Sequence, residues 1–141
     1  MAQTRQSRKP RYQRAGGVKL RIQDRDLKII HYVYQHRFLT SRHLTALVPG
    51  HPKDILRRLY GLYHAGYLDR PRQQVKPFQP GSQPMVYALG NKGADLLTSE
   101  FGLHRGRVDW TAKNREVKRV YLEHTLMVSG FMVSLELACR Q

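Results

Sequence analysis

Acidic residues and cysteine are both scarce in this sequence of 141 residues. Only 10 Asp and Glu side chains oppose 25 Lys and Arg, which gives a formal net charge of +15 at pH 7. So large a basic excess favours a polyanionic partner such as nucleic acid, although charge alone does not separate DNA from RNA. The single cysteine, Cys139, excludes an internal disulfide and a multi-cysteine zinc site, and it fits a reducing cytoplasm.

Long apolar runs and catalytic motifs are also absent from the sequence. No uninterrupted apolar stretch approaches the length of a transmembrane helix, and no apolar signal segment follows the basic N-terminus. There is no glycine-rich phosphate loop, no Gly-x-Ser-x-Gly motif and no carboxylate pair beside a helper base. The seven histidines lack partners at ligand spacing, and His124 falls on an apolar helix face, where we expect it in the core. We therefore expect no enzyme activity, no cofactor, no metal site and no membrane partner.

The first 21 residues form a basic segment without acids and with almost no apolar content. Such a composition predicts a chain that is disordered on its own. Basic arms lie along phosphates or enter a minor groove, and Arg8, Lys9 and Arg11 are the expected contacts. A solubilising tail is the alternative. The predicted domain boundaries are an arm at 1–21, a folded domain at 22–102, and a linker with a long last helix at 103–141.

Three helices are predicted at the start of the folded domain. Apolar residues recur at helical spacing from about Asp24 to His36 and predict the first. Thr40 is a suitable N-cap for a short second helix, Ser41 to Val48. Pro52 suits the first position of a third helix, residues 52–65. Three helices with a tight second connection are typical of a helix-turn-helix.

The third helix has two different faces. One is apolar and is predicted to face the core: Ile55, Leu56, Leu59, Leu62 and Tyr63. The opposite face is polar and is predicted to bind DNA: Lys53, Arg57, Tyr60 and His64. Arg57 carries the planar donor fork that suits a guanine edge, whereas Arg58, at the boundary, is either a further DNA contact or a structural ion-pair partner. An ordinary solvated surface is the alternative for the polar face.

A β-hairpin is predicted after the third helix. Tyr67–Arg70 and Met85–Leu89 have the pattern of short strands, and a loop with four prolines joins them. A hairpin at this place is the wing of a winged helix-turn-helix. As a wing, residues 70–85 would contact the DNA backbone or a minor groove through Arg70, Arg72 and Lys76. The alternative is a long hairpin connection without that role.

The remainder of the chain is predicted to be helical. Asn91 is the expected N-cap of a fourth helix over 92–101, and 110–140 is predicted to form one long helix. Apolar residues on this last helix follow alternating steps of four and three, which is typical of a coiled-coil seam. The helix either packs back on its own domain or pairs with a second copy. The expected dimer contacts are Tyr121, Val128, Phe131 and Leu135. We also expect the chain to be a fragment of a longer protein.

Six segments in succession carry a resemblance to a known family: Asp24–Ile30, Arg37–Thr40, Leu56–Leu59, Ala65–Arg70, Val86–Ala94 and Glu123–Leu126. Their order and spacing, over about residues 22–128, resemble the replication-relaxation family of bacterial plasmids and mobile elements. The resemblance implies a winged-helix DNA-binding protein tied to plasmid replication, DNA relaxation or control of element genes. It implies no catalytic residue.

The predicted fold is mostly α with a small β-hairpin, a winged helix-turn-helix domain followed by a long C-terminal helix. The predicted function is binding of double-stranded DNA by a homodimer, as a replication accessory factor or transcriptional regulator of a plasmid or phage-like element. The expected location is the cytoplasm, at the nucleoid. A basic RNA-binding or ribosome-associated protein and a winged-helix protein-interaction module are the alternatives.

Overall fold

The computed structural model describes residues 11–75, 83–108 and 111–140. The predicted class, mostly α with a small β component, is confirmed, whereas the winged helix-turn-helix assignment stays a prediction. A 3-10 turn at Arg72–Gln74 lies between the second and third strands. In chain order the other elements are α1 (Asp24–His36), β1 (Leu39–Thr40), α2 (Ser41–Leu47), α3 (Pro52–His64), β2 (Leu68–Asp69), β3 (Val86–Leu89), α4 (Asn91–Phe101), α5 (Arg105–Val108), α6 (Thr111–Glu116) and α7 (Arg119–Cys139).

Side-chain caps fix the starts of α2 and α3; the sequence predicts the cap of α2, and for α3 it predicts only Pro52 at the first position. Thr40 Oγ1 accepts a hydrogen bond from the His43 backbone N–H at 3.2 Å, and His43 Nδ1 accepts one from the Thr40 N–H at 3.2 Å. This reciprocal pair is a capping box. At α3, His51 Nδ1 accepts from the Lys53 N–H at 3.2 Å, and Pro52 takes the first helical position. The starts of α2 and α3 therefore have a local basis in the sequence.

The sheet has β3 at its centre, antiparallel to β1 on one side and to β2 on the other. Leu39 is paired with Tyr87, and Leu68 with Leu89. All four residues of β3 are buried, which suits a central strand covered on both faces. The pairing of β1, which the sequence pattern did not predict, ties the end of α1 to the hairpin.

The core lies on both faces of β3. Tyr87 and Leu89 belong to the larger cluster, which α1, α2, α3 and α4 supply with residues such as Ile30 and Leu59. Val86 and Ala88 point to the other face and pack with Phe38 and Leu122 in a smaller cluster. Because consecutive strand residues face opposite sides, one short strand joins the two clusters. At this second cluster, α7 packs on the domain through Leu122.

The start of α4 lies directly against the backbone of Gly66 and Tyr67. A Cβ on Gly93 would lie 2.3 Å from the Tyr67 carbonyl oxygen, so only glycine fits there. The Gly90 N–H donates to the Tyr67 carbonyl at 3.0 Å. The expectation that Asn91 caps this helix is wrong, because Gly90 is the N-cap and Asn91 is the first helical residue. Close backbone packing takes the place of a side-chain cap.

The prediction of one long helix over 110–140 is wrong. The described residues form α5 in the expected linker, then α6, and a break at Val117 and Lys118 before α7. Gln73 Nε2 donates to the carbonyl oxygens of Asn114 at 3.1 Å and Arg115 at 2.7 Å. In a continuous helix those carbonyls would accept from backbone N–H groups four residues later. A distant glutamine thus satisfies the end of α6.

The face of α7 that packs on the domain is not the predicted seam. The buried residues of α7 are Leu122, Ser129 and Val133, and Ser129 Oγ donates to the His36 carbonyl at 3.3 Å. His124 is exposed, so the expectation that it is a core histidine is wrong. The predicted seam lies on the opposite side and is exposed: Tyr121 50%, Val128 47%, Phe131 69% and Leu135 49%. One face of α7 therefore packs on its own domain. Pairing with a second copy through the opposite, exposed face stays a prediction.

By length and composition alone, α7 is apolar enough to cross a membrane. Charged residues interrupt it at Glu123 and Glu136, which is why the sequence shows no uninterrupted apolar run. Most of its apolar segment is exposed. An exposed apolar surface of this kind is typical of a contact with another molecule.

Candidate nucleic-acid interface

The polar face of α3 is open at its N-terminal half. Ile55 and Leu59 are 0% exposed and hold the helix in the core, so its outer side is fixed. Lys53 and Arg57 lie on that outer side, and the Arg57 side chain is 79% exposed. Its ion pair with Asp54 spans 3.9 Å between exposed groups. Such a pair contributes little to stability, so breaking it to bind a ligand costs little free energy.

Leu56 lies on the exposed side rather than in the core. The sequence predicts it to be inward, but 46% of its surface is exposed. The buried face of α3 is centred on Ile55, Leu59 and Leu62, and Leu56 falls at the edge of that sector. The outer surface of α3 therefore combines two cations with an apolar side chain and, one turn on, Tyr60 at 41% exposure.

Arg58 is held by the protein itself and is not part of the open surface. Its Nε donates to Asp26 Oδ1 at 2.9 Å, and its Nη2 donates to Asp26 Oδ2. Asp26 is fully buried, and the Gln23 N–H also donates to Asp26 Oδ2 at 2.8 Å. The hydrogen bond that Arg58 donates to the Asp26 carboxylate raises the pKa of Arg58. The structure thus places Arg58 in the structural ion pair that the sequence offered as an alternative, and its role as a DNA contact stays a prediction.

His64 is buried, so it does not extend the polar face as predicted. It is 5% exposed, and its Nδ1 accepts a hydrogen bond from the Ala15 N–H at 2.9 Å. Its ring lies 4.2 Å from that of Tyr60 and 5.0 Å from that of Tyr63. An imidazole enclosed in this way serves to attach the N-terminal segment to α3, and it is not accessible to a phosphate.

Arg70 is surrounded by aromatic side chains at the C-terminal end of α3. Its guanidinium carbon is 4.2 Å from the ring centre of Tyr63 and 5.5 Å from that of Tyr87. Nη1 donates to the Arg11 carbonyl at 2.8 Å, and Nη2 donates to the Tyr87 hydroxyl at 3.2 Å. Burial raises the pKa of Tyr87, which therefore stays a neutral hydroxyl beside the cation. Arg70 is half-buried and partly committed to the protein.

The described part of the N-terminal arm, residues 11–21, contacts the folded domain. Arg14 Nε donates to the Tyr63 carbonyl at 3.0 Å, and Arg14 also pairs with Asp69. The exposed Arg72 donates from Nη2 to the Tyr12 carbonyl at 3.5 Å. The sequence did not predict these contacts, because composition gives no sign of an arginine that binds backbone carbonyls. They bring the arm to the base of the hairpin.

Three of the predicted DNA contacts, Lys76, Arg8 and Lys9, lie outside the described residues. The described part of the interface brings Lys53, Arg57 and Tyr60 together on α3, with Arg70, Arg72 and Arg11 at its far end beside β2. No group of three or more metal-ligating side chains occurs in the described residues. The arrangement offers hydrogen-bond donors and cations, which suit an anionic ligand.

A family model described as Replication-relaxation matches residues 30–141 of the chain. No curated protein and no solved structure shows significant similarity to the chain. The matched region begins and ends later than the segments that carry the resemblance in the sequence, and it includes α7 in full. The match covers most of the chain. The protein therefore belongs to the replication-relaxation family, and its role is related to replication.

Proposed function

We propose that this protein binds double-stranded DNA, with α3 in the major groove and the hairpin after β2 as a wing. The observation that carries the proposal is the exposed pair Lys53 and Arg57 on a helix whose opposite face is fixed in the core. A 13-residue helix is about 20 Å long, enough to enter the major groove. Helix-turn-helix proteins present the N-terminal part of the third helix to base edges, and that is where Lys53 lies.

The order of elements supports the same mode of binding. Helices α1 to α3 precede the hairpin of β2 and β3, as in a winged helix-turn-helix. Arg72, at the base of the hairpin, is exposed and can reach a phosphate. Tyr60 meets the backbone beyond the groove, and the basic arm at 1–21 adds contacts that do not depend on base sequence.

We further propose that two copies of the chain associate through the exposed face of α7. Residues 120–138 contain no Lys or Arg in a chain of net charge +15, so two copies can meet there without cation repulsion. Val128, Phe131 and Leu135 are spaced by three and four residues, the spacing of a helix pair. A dimer would place two α3 helices about 34–36 Å apart, or a multiple, and favour a pseudo-palindromic site.

The biological role that fits these properties is an accessory factor of plasmid or phage-like replication, or a regulator of the genes of such an element. It would act in the cytoplasm at the nucleoid. An RNA-binding protein would carry the same net charge, so the test must compare the two nucleic acids directly.

Binding of the full chain to a duplex DNA and to an RNA hairpin of equal phosphate number, at one salt concentration, tests the proposal. A single-stranded DNA of equal phosphate number is the control for charge alone. We expect the duplex to bind at least about tenfold more tightly than either, because an A-form RNA major groove is too narrow for a helix. Tighter binding of the RNA hairpin would contradict the proposal, and absence of binding to any of them at low salt would favour a protein-interaction module.

A further inference from the structure

A cleft of about 770 Å³ lies beside the base of the hairpin, next to Arg70 and Arg72 of the candidate interface. Its walls are the arm at Tyr12, the residues after β2 at Arg70, and the end of α6 with the α6–α7 connection, from Asn114 to Lys118. This volume is in the range of pockets that hold small ligands. Neither the match to the family nor the proposed role of α3 assigns a function to it.

The walls of the cleft are predominantly basic. Five cationic side chains line it against two carboxylates: Arg14, Arg70, Arg72, Arg115 and Lys118, with Asp69 and Glu116. Asp69 is already paired with Arg14. Arg115 and Lys118 are exposed on the wall formed by the α6–α7 connection. The remaining charge attracts an anion.

Two side chains that line the cleft each have a buried donor without a hydrogen-bond partner in the described part of the chain, Asn114 Nδ2 and Arg70 Nε. Asn114 is 3% exposed, and its Oδ1 accepts from Arg37 Nε at 2.9 Å. Because Arg37 Nε can only donate, its partner on Asn114 must be the amide oxygen. The other amide atom is therefore the donor Nδ2. A buried donor without an acceptor destabilises the protein, and an acceptor ligand would relieve that destabilisation.

The wall that carries Asn114 is held in place from the hairpin side. Gln73 Nε2 bridges the carbonyls of Asn114 and Arg115, and Arg119 Nε donates to the Gln73 carbonyl at 3.2 Å. This wall of the cleft is therefore fixed before a ligand arrives, which reduces the entropy lost on binding. We propose that this cleft binds a phosphate group, which offers oxygen acceptors and negative charge together.

The proposal does not depend on α3 binding DNA, and inorganic pyrophosphate is a suitable probe. Calorimetry at low salt would compare the full wild-type chain with Asn114→Asp and with the double variant Arg115→Gln, Lys118→Gln. Asn114→Asp keeps the acceptor for Arg37 but replaces the donor with an anionic oxygen. The double variant Lys28→Gln, Lys92→Gln removes the same charge from exposed positions on α1 and α4 and is the matched control.

We expect the wild type and the control to bind pyrophosphate, and the two cleft variants to bind it at least about tenfold more weakly. The side-chain amide signals of Asn114 in an NMR spectrum should shift on addition of the probe. Equal binding by all four proteins, or no binding and no shift of those signals at low salt with pyrophosphate or duplex DNA, would overturn the proposal.

The same variants distinguish the two sources of phosphate. If the cleft takes a backbone phosphate of DNA, pyrophosphate competes with the duplex. Asn114→Asp then flattens the log–log salt dependence of DNA binding by roughly 0.9 for the lost contact. If it takes a nucleotide or another small phosphate ligand, pyrophosphate binds the DNA-bound protein equally well and the salt dependence is unchanged. Loss of DNA binding through α3 with an intact phosphate site would refute only the proposed function.

Discussion

Arg57 and Arg58 are neighbours in the sequence with different environments. Arg58 lies at the edge of the buried face of α3, where the fully buried Asp26 binds it through both carboxylate oxygens. Arg57 lies about 100° further round the helix and is in solvent. The sequence pattern placed Arg58 at the boundary but could not identify Asp26, 32 positions earlier, as its partner. A side chain held by a buried carboxylate cannot also bind DNA without leaving that charge unpaired.

His43 gives a prediction for the pH dependence of stability. Burial lowers the pKa of His43, and the charge of His36 lowers it further. The folded protein therefore favours the neutral imidazole, and the unfolded chain takes up a proton first as the pH falls. The free energy of unfolding should decrease below about pH 6.5, the pKa of a histidine in an unfolded chain. His36, whose pKa burial also lowers, adds to the same trend.

The variant His43→Gln isolates this contribution, because a glutamine at the third position of a helix preserves the capping box with Thr40. We expect its unfolding free energy to decrease less than that of the wild type between about pH 7 and pH 5 in urea titrations. The matched control is His124→Gln, whose imidazole is exposed on α7. Identical pH dependence in the wild type and His43→Gln would show that this histidine does not couple protonation to folding.

At the scale of elements, the sequence predicted those features that depend only on residues close together in the chain. Thr40 and Pro52 predicted the starts of α2 and α3, and the helical spacing predicted the extent of α1. The break before α7 was not predictable, because the carbonyls that it leaves open are bound by the side chain of Gln73, more than 40 positions earlier. The contact of the arm with α3 through Arg14 was not predictable either, because its partner is also distant in the sequence.

The exposed face of α7 gives a prediction for association. Phe131 is 69% exposed at the middle of the proposed dimer contact. We expect light scattering at micromolar concentration to give twice the chain mass for the wild type and the chain mass for Phe131→Glu, because a buried pair of carboxylates is unfavourable. Ser99→Glu, on the exposed side of α4, adds the same charge elsewhere and should stay dimeric.

A wild-type chain that scatters as a clean monomer would refute the dimer. If that monomer floated with lipid vesicles, α7 would instead be a membrane contact, as its length and composition permit.

At the scale of the whole molecule, charge is divided unevenly along the chain. The first 21 residues carry seven Lys and Arg and no acid, whereas residues 120–138 carry no Lys or Arg. The arm and the outer face of α3 thus form the part suited to DNA, and α7 forms the part suited to a second copy. Composition predicted this division in outline. It could not show that Arg14 and Arg70 donate to backbone carbonyls of the protein itself, which leaves fewer of their donors for DNA.

The central claim, that α3 binds base edges in the major groove, is tested most directly by Arg57→Ala. Affinity would be measured for a duplex selected from a random pool by the wild type and for the unselected duplex. We expect a loss of about 1–3 kcal/mol on the selected site and much less on random DNA, with an unchanged circular dichroism spectrum. Arg72→Ala, at the base of the hairpin, is the control and should weaken both by similar amounts. Equal losses on both duplexes for Arg57→Ala would contradict the claim and leave α3 a surface that binds only phosphate.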